Sequence, residues 1–110
     1  MLGAKIKIKD EGLLNGLIAT EGYFERQKVQ EGRAGEKARD CLKAIELLKQ
    51  NKPILLMLAV RIVGQLPPSG FTRDLFKALK KEAEENCGIT FVDCGGSIMT
   101  MPYQKPSGGF

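Results

Sequence analysis

The chain has 110 residues, 43% hydrophobic and 27% charged, which suits one domain with a modest core and argues against a disordered segment. Its formal net charge is +4 with a pI near 9.1, a basic lean that suits a polyanionic partner without requiring one. It contains no histidine, which excludes Ser-His-Asp and Cys-His catalysis and the histidine-containing zinc sites within this chain.

The opening "MLGAKIKIKDEG" carries charges where a signal peptide needs an apolar run. The longest apolar run, "ILLMLAV" at 54–60, is far short of the about 20 residues that span a bilayer. The expectation is therefore a cytoplasmic protein with no membrane partner. "AKIKIK" at 4–9 alternates small or apolar residues with lysines, the period of a half-exposed strand whose lysines protect an edge. Asp10 then offers an N-cap. Leu13, Leu14, Leu17, Ile18 and Phe24 share a helical face over 11–30, although Gly12, Gly16 and Gly22 weaken that helix. "EGRAG" at 31–35 reads as a break.

The segment 36–50, "EKARDCLKAIELLKQ", is the clearest helix. Ala38, Cys41, Leu42, Ile45 and Leu48 form one stripe, and Lys37, Arg39, Asp40, Lys43 and Glu46 fill the rest. The next segment, 51–64, supports either a buried helix with Pro53 in its first turn or a buried strand. Helix is the preferred reading. "QLPPSG" at 65–70 is a turn, and a helix over about 71–86 points Leu75, Phe76, Leu79 and Ala83 inward. Gly88 is placed to end it in a left-handed cap. "ITFVD" and "SIMTMP" then read as two strands joined by "CGG".

These elements predict a single α+β domain over 1–103, followed by a flexible tail at 104–110. Three or four helices would pack on a small sheet built from 4–9, 89–93 and 97–101. The order helix, turn, helix, hairpin over 54–102 admits a winged-helix-like arrangement.

Three cysteines, Cys41, Cys87 and Cys94, form an odd set, which favours reduced thiols. If 89–93 is extended, Cys87 and Cys94 lie about 20 Å apart, too far for a disulfide, which tolerates about 7 Å between Cα atoms. Pairing of Cys41 with either stays open. Asp93 beside Cys94 disfavours a reactive thiolate, and no cofactor, metal site or catalytic residue is expected. Glu82, Glu84 and Glu85 read as solvated charge.

Two short stretches resemble parts of known families. Residues 61–96, "RIVGQLPPSG" through "ITFVDCGG", resemble the part of ribokinase-like sugar kinases in which GSLPPG precedes a helix and a strand ending in D-x-x-G. That family's Gly-Ala-Gly-Asp motif, which would imply phosphoryl transfer, is absent. "GGSIMTMP" at 95–102 is similar to the G-D-I-M-T-M-P-G near the C-terminus of formate–tetrahydrofolate ligases, with Tyr103 in place of the last glycine. That family's P-loop is also absent. Neither resemblance extends to a family assignment.

The leading functional expectation is a non-enzymatic binding protein. Arg73, Lys77, Lys80 and Lys81 form a basic helix face for nucleic acid or an acidic protein surface. Nucleic acid is slightly favoured. The alternative is a protein-interaction adaptor or inhibitor using an exposed hairpin edge with Met99, Met101 and Tyr103. A third reading places a small ligand at the Gly95-Gly96 turn.

Overall fold

The computed structural model describes residues 3–93 and 98–103. Within them lie five helices and four strands: β1 (Lys5–Ile6), α1 (Glu11–Ala19), α2 (Glu21–Gln27), α3 (Arg33–Lys49), β2 (Ile54–Leu55), α4 (Leu56–Gln65), α5 (Gly70–Cys87), β3 (Ile89–Asp93) and β4 (Ile98–Pro102). The class is α+β, as expected. The expected tail at 104–110 and the hairpin turn lie outside the described residues.

The helix expected over 11–30 is two helices with a joint at Thr20. Asp10 caps the first, its Oδ1 accepting from the Leu13 amide at 2.9 Å. The buried Thr20 hydroxyl donates to the Leu17 carbonyl at 2.6 Å. This local bond competes with helix continuation and ends α1. α2 then restarts and buries Phe24.

The ambiguous 51–64 segment contains both alternatives. Ile54 and Leu55 pair antiparallel with Ile6 and Lys5, and the Leu56 amide donates to the Ala4 carbonyl at 2.8 Å. From Leu56 the chain turns helical, so Pro53 precedes a strand instead of opening a helix. The pairing also corrects the expected single sheet. β1 joins β2, while β3 and β4 pair only with each other, giving two separate two-stranded sheets. Extended backbone needs a partner for its polar groups, and Ile54–Leu55 supplies one that apolar content alone did not reveal.

α5 is capped by Ser69, whose hydroxyl accepts from the Thr72 amide at 3.1 Å. It ends at Gly88 (φ 63°, ψ 28°), the left-handed position that favours glycine. Tyr103 then extends the hairpin contact, its amide donating to the Gly88 carbonyl at 2.8 Å.

One core joins these elements, from Ile6 and Leu17 through Phe24, Cys41, Ile45, Leu56 and Ile62 to Leu79 and Phe91. Phe76 of α5 meets Phe91 of β3 edge to face, with ring centroids 5.3 Å apart. This contact seats the hairpin on α5. No helix of the described residues is long and apolar enough to cross a membrane.

Candidate anionic-partner interface

α5 is amphipathic over "RDLFKALKK", with Leu75, Leu79 and Ala83 buried at helical spacing. At 100° per residue, Arg73, Lys77 and Lys80 fall within an arc of about 60° on the flank of that stripe, and Lys81, about 40° beyond Lys77, lies on the side opposite it. Arg73, Lys77 and Lys81 are exposed and Lys80 is half-buried. None of the four side chains has an ion pair or hydrogen bond among the described residues.

Lys81 faces a different setting from the other three. It lines a groove of about 390 Å³ together with Lys9, Asp10, Glu82, Glu85 and Asn86, where carboxylates offset its charge. The compact cationic face is therefore Arg73, Lys77 and Lys80.

The glutamates expected as solvated charge differ from one another. Glu82 is buried, accepting from the Asp10 amide at 3.0 Å and from the Asn86 side-chain amide. Glu84 accepts from the Thr90 hydroxyl at 2.6 Å. Glu85 is exposed. Two of the three are thus structural, because each reaches a donor in another element or turn.

The hairpin resolves which strand face is inside. Val92 pairs with Met99 and Thr90 with Met101, so these four share a face by strand alternation. Phe91 and Ile89 are buried on the opposite face. Val92, Met99 and Met101 are 39%, 53% and 40% exposed, which makes the outer face apolar. Tyr103 is half-buried beyond the end of β4. No cation lies on the described part of either strand.

A second cationic cluster escaped sequence reading. Arg33, Lys37, Arg39 and Lys43 of α3 meet Arg61 of α4 around another groove of about 390 Å³, together with Glu36 and Asp40. The α3 spacing was visible as the polar side of a helix. The arrival of Arg61 was not, because its segment was ambiguous between helix and strand.

The two described thiols ionise less readily than ordinary ones. Cys41 and Cys87 are both free, so they do not pair with each other, and Cys94 lies outside the described residues. Burial pushes the Cys41 thiol up from 9.0 to about 11, against the opposing pull of Arg61 and with a small addition from Asp40. Burial also raises Cys87, helped by Glu82. Among the described residues, no three His, Cys, Asp or Glu side chains are grouped to hold a metal.

No protein-family model, no curated protein and no solved structure matches the chain.

Proposed function

We propose that this protein is a non-enzymatic binding module that engages an acidic partner, nucleic acid first, through the Arg73–Lys77–Lys80 face of α5. The observation that carries this reading is that the three cations share one arc of about 60° on α5, Arg73 and Lys77 exposed and Lys80 half-buried, with no anion paired to their side chains among the described residues. A cation in that state keeps its full charge for phosphate. The inward turn of Glu82 supplies further support, since it takes one nearby carboxylate away from that arc. Free thiols at Cys41 and Cys87 fit a reducing, cytoplasmic setting.

Retention on heparin or generic DNA under a salt gradient tests the reading. Each phosphate engaged should steepen the log–log salt dependence by roughly 0.9. Replacing Lys77 and Lys80 with glutamate should weaken retention. A wild-type protein that fails to bind at about 50 mM salt removes the nucleic-acid reading.

The outer hairpin face favours a second reading. Val92, Met99 and Met101 present apolar side chains where a DNA-contacting wing needs cations. In that case the protein is an interaction module whose hairpin contacts another protein. Loss of a co-purifying partner in Met101→Lys, with DNA retention unchanged, would select it.

A further inference from the structure

We propose that the groove between α3 and α4 binds a phosphate-rich anion of two or three linked phosphates. It lies on residues separate from the α5 face and does not depend on the reading of that face.

The groove collects charge of one sign from two helices. Five cations, Arg33, Lys37, Arg39, Lys43 and Arg61, face two carboxylates, Glu36 and Asp40, leaving a formal charge of +3. A single helix face can carry such a run merely as solvated charge. Here Arg61 comes from a different element, and the lining borders an open groove of about 390 Å³, within the range of small-ligand sites.

Two of the arginines are held in place before any ligand arrives. Arg61 donates to Asp40 at 3.3 Å across the helix pair, and its side chain is only 30% exposed. Arg39 donates to the Lys28 carbonyl at 3.1 Å. Each bond uses one of five guanidinium N–H donors and leaves others available. Fixing the side chain beforehand reduces the entropy lost when an anion binds. Asp40 is engaged by Arg61, which leaves Glu36 as the carboxylate opposing the anion.

Arg33 also opens α3. The N-cap, Gly32, brings no side-chain acceptor to the first-turn amides, so the positive end of the helix dipole adds to the cations nearby.

The lining defines the ligand class. All seven lining residues are charged and none is aromatic or aliphatic, so a nucleobase finds no aromatic ring there on which to stack. Recognition is by phosphate oxygens, which arginine meets bidentately and lysine as a point charge. The phosphates can come from a free oligophosphate or from a nucleic-acid backbone.

Titration calorimetry with inorganic tripolyphosphate, on the whole chain, tests the site. Binding should appear at low salt and weaken about tenfold or more when Lys37 and Lys43 are both replaced by glutamine. Glu36→Gln should move affinity the other way, tightening it by about two- to fivefold. A tightening cannot arise from unfolding, so this variant separates site from scaffold.

Lys77→Glu with Lys80→Glu should leave tripolyphosphate affinity unchanged while weakening retention on DNA, so the two sites fail separately. Absence of binding at about 1 mM ligand overturns the proposal. So does equal affinity in the Lys37→Gln, Lys43→Gln variant, or an equal loss in the α5 variant. Displacement of tripolyphosphate by a single-stranded oligonucleotide supports the site with backbone phosphate as its source. Lack of displacement supports it with free oligophosphate.

Discussion

Glu82, buried in α5, accepts a hydrogen bond from the backbone amide of Asp10 at 3.0 Å, across 72 residues of chain. The Asp10 side chain meanwhile caps α1 through the Leu13 amide. One carboxylate thereby ties the start of α1 to the face of α5, and the Asn86 side chain donates to it as well. Replacing Glu82 with alanine leaves two donors without their acceptor, which should cost about 1–3 kcal/mol. Glu82→Gln keeps an acceptor oxygen and should cost less. Urea unfolding of the two variants measures the difference; equal loss in both would mean that the charge, not the bond, matters.

Gly35 marks a close approach of backbone to backbone. A Cβ placed there would stand 2.0 Å from the Gln30 carbonyl oxygen, so the α2–α3 connection passes against the first turn of α3. Gly35→Ala should destabilise by about 1–3 kcal/mol, because the main chain has to shift. Gly22 in α2 is the control, with nothing within 4 Å of its added Cβ. Gly22→Ala should stabilise by roughly 0.5–1 kcal/mol. Thermal melts of the pair distinguish steric packing from helix propensity.

Much of the fold was legible because local signals agreed with burial. The stripe through Ala38, Cys41, Ile45 and Leu48 is buried as its spacing implied, and Gly88 caps α5. What was hidden depended on pairing between distant segments. Nothing local in "ILLMLAV" says that Ile54 and Leu55 meet Lys5 and Ile6 before the helix begins. Glu82 was misread for the same reason, since its donor is remote in sequence. For the site, helical spacing sufficed to place Arg73, Lys77 and Lys80 together. Arg61 needed the packing of α4 on α3, and the outward face of Met99 and Met101 needed the strand register.

Cys41 gives a pH signature. Its thiol is buried, and burial raises it to about 11 from an ordinary 9.0. The unfolded chain loses this proton first as pH rises, so the folded state holds more protons between those values and stability falls. The contribution is complete below about pH 9 and lost by about pH 11, at no more than about 1.4 kcal/mol per pH unit. Urea midpoints across pH 8–11 for wild type and Cys41→Ala, with the alanine variant showing the shallower decline, provide the check. Mass spectrometry should also find Cys41 unmodified by a thiol reagent at pH 8 until the protein unfolds.

The hairpin register makes the strongest contrast within two strands. Phe91 is fully buried and packs on Phe76 at 5.3 Å, whereas Met101, one strand over, is 40% exposed on the outer face. Phe91→Ala should cost about 3–5 kcal/mol through lost burial and a cavity against α5. Met101→Lys places its charge in water and should change stability by about 0.5 kcal/mol or less. A slip of one residue in the β3–β4 pairing would send the side chains of the slipped strand to opposite faces. A costly Met101→Lys would therefore disprove the register and the apolar outer face together. A neutral Met101→Lys beside a severe Phe91→Ala keeps Val92, Met99 and Met101 outside, where a partner can reach them.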